Sequence, residues 1–118
     1  MTATVTDPAA QLAAVSAWID QHNHGMTPTE HLWSRIAKIS EENGEVVAAM
    51  LGMLGENPRK GVTHDREDVV AELLDVACTA LAAVEHMSGN DGSALYCLTV
   101  KIDGLYARML RHEQRPAV

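Results

Sequence analysis

At 118 residues, with 47% apolar residues, no phenylalanine and a formal net charge of −7, the chain is sized for a single domain, 1–118, whose interior Ala, Val, Leu and Met must fill. That composition favours closely packed helices over an aromatic-rich β sandwich. The negative balance argues against nucleic acid or an anionic membrane surface as partner, and no apolar run approaches a membrane span.

Asp7-Pro8 reads as an N-cap followed by proline at the first helical position. Leu12, Val15, Trp18 and Ile19 then recur at helical spacing, so a first helix is predicted to about Gln21, ended by His22-Asn23-His24-Gly25. Thr27-Pro28-Thr29-Glu30 is a capping box with proline inside it, the clearest helix start in the chain. Apolar residues from Leu32 to Leu54 carry that second helix to Gly55, a natural C-terminal stop. Gly55-Glu56-Asn57-Pro58-Arg59-Lys60-Gly61 is a loop. A third helix starts near Asp65 and runs to Ser88-Gly89-Asn90-Asp91-Gly92. A fourth starts near Ser93 with Leu95, Leu98, Ile102, Leu105 and Met109 on one stripe, and the tail from Gln114 frays. There is no strand pattern, so the expected fold is an all-α, four-helix bundle-like domain.

Two acidic pairs stand out on the second and third helices: Glu42 with Glu45, Glu41 lying beside them, and Glu72 with Asp75. A spacing of three puts both members of a pair on one helix face. At roughly 100° per residue, the pairs occupy the same flank of their two helices. In an antiparallel hairpin equal flanks meet, which predicts a central antiparallel acidic helix pair with a four-carboxylate cluster at the edge of the core. Such a cluster repels itself unless a cation sits within it, and a hard divalent ion such as Mg²⁺, with Mn²⁺ as the alternative, suits an all-oxygen donor set. Gly44, between two of these acids, costs about 1 kcal/mol relative to Ala in a helix interior. Close helix approach or ligand access would justify it.

Other residues carry weaker signals. Cys78, in an apolar helical run, reads as a reduced core residue, and Cys97 has no metal-type spacing relative to it. No histidine pair has the context of a zinc site, and His86 and His112 read as surface residues. Ser40 has no base-and-orienter pair for nucleophilic catalysis. The N-terminal Met1-Thr2-Ala3-Thr4 lacks the basic and apolar regions of a signal peptide, so a cytoplasmic protein is expected.

The run Trp33-Ser34-Arg35-Ile36-Ala37-Lys38-Ile39-Ser40-Glu41-Glu42, then Glu45, then Ala71-Glu72-Leu73-Leu74-Asp75-Val76-Ala77, resembles the MazG-like all-α nucleoside triphosphate pyrophosphohydrolases over about Trp33 to Glu85. The resemblance implies hydrolysis of a nucleoside triphosphate between its α and β phosphates, giving the monophosphate and pyrophosphate, in housekeeping of the nucleotide pool. It implies Glu42, Glu45, Glu72 and Asp75 as Mg²⁺ ligands and Glu41 as the group that orients or deprotonates water, directly or through a further metal ion. Lys60, in a loop made positive by Arg59, His64 and Arg66, and Lys101 and Arg108, seven apart on the last helix, are the candidates for phosphate contact. Leu105 stands where some relatives carry asparagine. His24 and His31 are candidates for base contact and Trp33 for stacking, although Trp33 also fits the apolar stripe as a core residue.

Apolar residues on more than one face of the second helix, Trp33 and Val47 among them, predict a homodimer or homotetramer. The contrasting expectation is a non-catalytic metal-binding or interaction bundle. A redox di-iron version is disfavoured because the second acidic motif ends in Asp75 rather than histidine.

Overall fold

The computed structural model describes residues 5–117, and the Met1–Thr4 stretch read above for a signal lies outside them. The fold is all-α, as the sequence predicts: α1 (Pro8–His22), α2 (Pro28–Leu54), α3 (Arg66–Met87) and α4 (Ala94–Glu113). The helix starts are chemically specified. Asp7 accepts the Ala10 N–H at 3.2 Å, and Thr27 accepts the Glu30 N–H at 3.2 Å while Glu30 reaches back to the Thr27 N–H at 3.4 Å. Asp65 and Asp68 form the same reciprocal pair at the start of α3, both bonds 2.9 Å. Gly55 ends α2 in the left-handed conformation, φ 65°.

Gly52, not Gly44, is where the backbone needs glycine for space. Thr63 N–H donates to the Gly52 carbonyl at 3.0 Å, and a Cβ on Gly52 would overlap the Thr63 hydroxyl and the His64 ring. A Cβ on Gly44 would meet nothing, so close helix approach does not explain that glycine.

Helices α2 and α3 form the predicted central antiparallel pair: residue 35 meets residue 82 at one end, and Glu45 meets Glu72 further along. Helix α1 lies against both, antiparallel to α2, through Ser16 to Arg35 and Asp20 to His31. Helix α4 docks on α3 only by its first turns. There Ala94, Cys97, Leu98 and Lys101 face Ala77, Ala80, Leu81 and Val84 across an open groove. Beyond them Ile102, Leu105, Tyr106 and Met109 are half or more exposed. The radius of gyration, 18.6 Å, is well above the roughly 13.5 Å of a compact domain of this size.

The buried apolar residues among those described are all alanines, Ala49, Ala82, Ala83 and Ala94, accompanied by buried Ser16, Arg35 and Glu85. Alanine lets helices approach closely, and the larger apolar side chains are half-buried, as at Leu32, Ile39 and Leu81, or exposed, as at Trp18, Leu73 and Leu105. Two core assignments are corrected by this. Trp33 is 67% exposed, and Cys78 is exposed on α3. Periodicity marked their apolar stripes correctly, but the stripe is wider than the face that α1 to α3 bury among themselves.

Candidate metal centre and adjoining cavity

The α2–α3 hairpin brings carboxylate oxygens of Glu42, Glu45 and Glu72 within 4.8 Å of one another. Glu42 and Glu72 are half-buried and Glu45 is exposed, so the group opens at the edge of the helix pair. Glu72 Oε2 is shut off from water and has no hydrogen-bond partner. Burial first, then the charges of Glu45 and Asp75, push its carboxyl above the ordinary carboxylate range. Asp75, one turn on from Glu72, is exposed and lies outside the group of three; its nearness registers through its charge on Glu72.

Lys38 borders the cluster. Its ammonium lies 3.2 Å from Glu41 and 3.4 Å from Glu42, and Glu41 is the stronger cause of the raised Lys38 pKa. Glu41 itself is exposed. The same lysine lines a cavity of about 460 Å³ between α1, α2 and α3, walled by Val15, Trp18, Ile19, Arg35, Cys78 and Ala82, with His22, Asn23, Ser34 and Thr79 as polar points. The Trp18 and His22 rings are 4.3 Å apart there. The cavity is mainly apolar with a cationic end beside the carboxylates, the polarity a molecule with an aromatic part and an anionic part requires.

The sequence-predicted contacts scatter. Lys60 lines a smaller cavity, about 310 Å³, with Ala48, Gly52, Asn57 and His64, one helical turn beyond Glu45. Lys101 lies in the α3–α4 groove, and Arg108 is exposed further out on α4. Trp33 does not line the cavity beside Lys38; Trp18 does. His31 is also elsewhere, its ring turned onto Asp20.

That second constellation, centred on Asp20, was not read from the sequence. Asp20 Oδ1 accepts from Arg35 Nη2 at 2.9 Å and from His86 Nδ1 at 2.8 Å, and Oδ2 accepts from the Asn90 amide at 2.9 Å. His31 Nε2 lies 3.1 Å from Oδ1 but off the line a hydrogen bond needs, buried and without a partner. Arg35 also donates to the Ser16 carbonyl at 2.5 Å and hydroxyl at 3.1 Å. Burial of Asp20 favours its neutral form, yet the donors Asn90, Arg35 and His86 outweigh it and hold the carboxyl below its ordinary range. His86, expected at the surface, is therefore a packed partner: its side chain is only 19% exposed. The signal available was local: His31 and Arg35 are four apart and share a helix face. Their partners at 20, 86 and 90 have no spacing that links them to it.

A third buried acid was also missed. Glu85, fully buried, accepts the Gly92 N–H at 2.8 Å and the Ala94 N–H at 2.7 Å. It caps α4 from α3, where Ser93 makes no side-chain cap.

No family model, no curated protein and no solved structure matches this chain.

Proposed function

We propose that the chain is a Mg²⁺-dependent nucleoside triphosphate pyrophosphohydrolase of the MazG-like kind, acting in the cytoplasm as a homodimer or homotetramer. The observation that carries this reading is the convergence of Glu42, Glu45 and Glu72, with an unpartnered, water-shielded oxygen on Glu72. Three carboxylates at that separation suit a hard divalent ion. Glu42, Glu45 and Glu72 would hold it, with Asp75 completing the set from the next turn. Mg²⁺ bound there supplies positive charge against phosphate oxygens and lowers the pKa of coordinated water.

The chain's own residues do the rest. The apolar wall of Trp18, Ile19 and Val15 receives the base and sugar and excludes water from that side. Lys38 sits between that cavity and the cluster, positioned to meet phosphate oxygens. Glu41, freed from Lys38 when a triphosphate takes the lysine's charge, accepts the proton of the attacking water. Water adds to phosphorus, the α–β anhydride bond breaks, and monophosphate and pyrophosphate leave. Lys60, in the neighbouring cavity beyond Glu45, would meet the distal phosphates. The exposed apolar faces of α2 and α4 in a protomer whose buried apolar residues are alanines support the oligomer.

A panel of ribo- and deoxyribonucleotides assayed for Mg²⁺-dependent pyrophosphate release tests the proposal. Turnover of at least one triphosphate with stoichiometric pyrophosphate is the expected result. Inactivity on all of them, with metal binding retained, would leave the non-catalytic metal-binding bundle instead.

A further inference from the structure

Each of the first three helices sends one metal-ligating side chain to a common point away from the acidic cluster: Asp20 from α1, His31 from α2 and His86 from α3. Along α2, His31 is eleven residues from Glu42, about 16 Å of helix, so this is not an extension of the carboxylate site. His86 Nδ1 and His31 Nε2 lie 2.8 and 3.1 Å from the same oxygen, Asp20 Oδ1, with the two rings 4.9 Å apart. Ligand atoms around a tetrahedral zinc ion are about 3.3 Å apart, given metal–ligand bonds of about 2.0–2.1 Å. The two separations from Asp20 Oδ1 fall short of that by about 0.2 and 0.5 Å, and all three ligand atoms lie within 4.8 Å of one another.

Two buried polar atoms in this hub have no partner, His31 Nε2 and Asn90 Oδ1. Folded proteins seldom leave such atoms unpaired without an ion or water to satisfy them. A neutral His31 with its proton on Nδ1 presents a lone pair at Nε2, as a metal ligand must, and His86 Nδ1, which donates to Asp20 without metal, gives up its proton to its own Nε2 or to solvent when the ion binds. The Asn90 carbonyl suits a water carried on the ion. Arg35, which donates to Asp20 Oδ1, disfavours any dication, so affinity has to come from the two imidazoles. That requirement selects a borderline-soft ion over Mg²⁺.

We propose that Asp20, His31 and His86 form a zinc site that ties α1, α2 and α3 together, separate from the Glu42–Glu45–Glu72 cluster. The ion takes one ligand from each helix and leaves a position for water. It acts as a clamp on the three-helix unit, not in the hydrolytic reaction.

The test uses the full chain carrying Glu42→Gln and Glu45→Gln, which disables the acidic cluster, stripped of metal by chelator. Zn²⁺ is titrated against a chromophoric chelator with excess Mg²⁺ present. One zinc ion per chain is expected, with affinity reduced about tenfold or more by His31→Gln and again by His86→Gln. Co²⁺ in the same background should show the visible bands of a nitrogen-ligated ion of low coordination number. Circular dichroism confirms that each variant folds, and if one does not, the other histidine variant and the Co²⁺ spectrum decide. Failure of the background protein to compete for zinc, or zinc binding unchanged by both histidine substitutions, overturns the proposal and leaves a hydrogen-bonded hub. Either result is independent of whether the wild-type chain hydrolyses nucleotides.

Discussion

Two carboxylate sites lie within the three-helix unit and behave oppositely: Asp20, on α1, and the Glu42–Glu45–Glu72 group, on α2 and α3. Asp20 is ringed by nitrogen: Arg35, His86 and Asn90 donate to it, and its carboxyl is held below the ordinary range. Glu72 is ringed by oxygen: Glu45, Asp75 and Glu42 all disfavour its charge, and its carboxyl is pushed up. Burial raises the pKa at both places, so the sign is decided by the neighbours. The first arrangement stabilises the folded chain as it stands. The second disfavours the charged form of Glu72 in the folded chain, with Lys38, on Glu42, as the one cation beside the group among the described residues.

The largest way to break this contrast is Asp20→Ala. It leaves the buried Arg35 guanidinium, 6% exposed, without its counter-charge. Because Asp20 is itself partly exposed, the loss should sit at the low end for broken buried pairs, about 3 kcal/mol in urea unfolding. A loss under about 0.5 kcal/mol, the scale of ordinary surface substitutions, would show that Asp20 contributes no more than an exposed ion pair. Glu45→Gln should do the reverse, leaving the helical content intact and reducing Mg²⁺-dependent pyrophosphate release by about a hundredfold, about 2.7 kcal/mol of transition-state stabilisation. Glu113→Gln, at the exposed end of α4, serves as the control with unchanged turnover.

Mg²⁺ at ten times its Kd should stabilise the wild-type chain by about 1.4 kcal/mol through linkage, and calorimetry of Glu45→Gln should show most of that gain gone. Proton linkage separates the two groups as well. Glu72, with its raised folded pKa, destabilises the metal-free protein above that value. The penalty disappears as pH falls toward the ordinary glutamate value of the unfolded chain. Asp20, with its lowered pKa, contributes stability above the ordinary aspartate value, and this is lost as pH falls through its folded value. Metal-free stability should therefore rise and then fall on acidification, and Glu72→Gln should flatten the rise alone. A monotonic fall in both proteins would contradict the assignment of Glu72 as the strained acid.

The smallest effect sharpens the contrast by site rather than by charge. Gly44→Ala meets no neighbour and should stabilise α2 by about 1 kcal/mol in thermal unfolding. If the open space at Gly44 admits substrate to the cluster, the same variant has a higher KM. Unchanged kinetics would leave the glycine without a functional reason.

The helices, their order and the acidic hairpin were legible because their determinants are local or periodic. Asp7-Pro8, the Thr27 capping box, Gly55 and Asp65 each specify a helix end within a few residues of themselves, and Glu42, Glu45 and Glu72 follow from face geometry on an antiparallel pair. The Asp20 hub was not legible, since it joins positions 20, 31, 35, 86 and 90, whose proximity exists only after three helices pack. Trp33 and Cys78 show a different limit: an apolar stripe identifies a face that avoids water, not which partner covers it. Glu85 was hidden for the same reason as Asp20. A carboxylate on one helix that caps the next leaves no pattern in the sequence of either.

That cap also sets how α4 moves. Glu85 holds the amides of Gly92 and Ala94 at the start of the helix, while among the residues beyond Leu98 only Lys101 lines the groove against α3. The helix is fixed at one end, like a cantilever. Amide hydrogen exchange in a dilute, monomeric sample should be slow at Ala94, Cys97 and Leu98 and quicken toward Glu113, because opening from the free end breaks few tertiary contacts. Raising the protein concentration into the oligomeric range should erase that slope, and the residues whose protection rises most would outline the covered face.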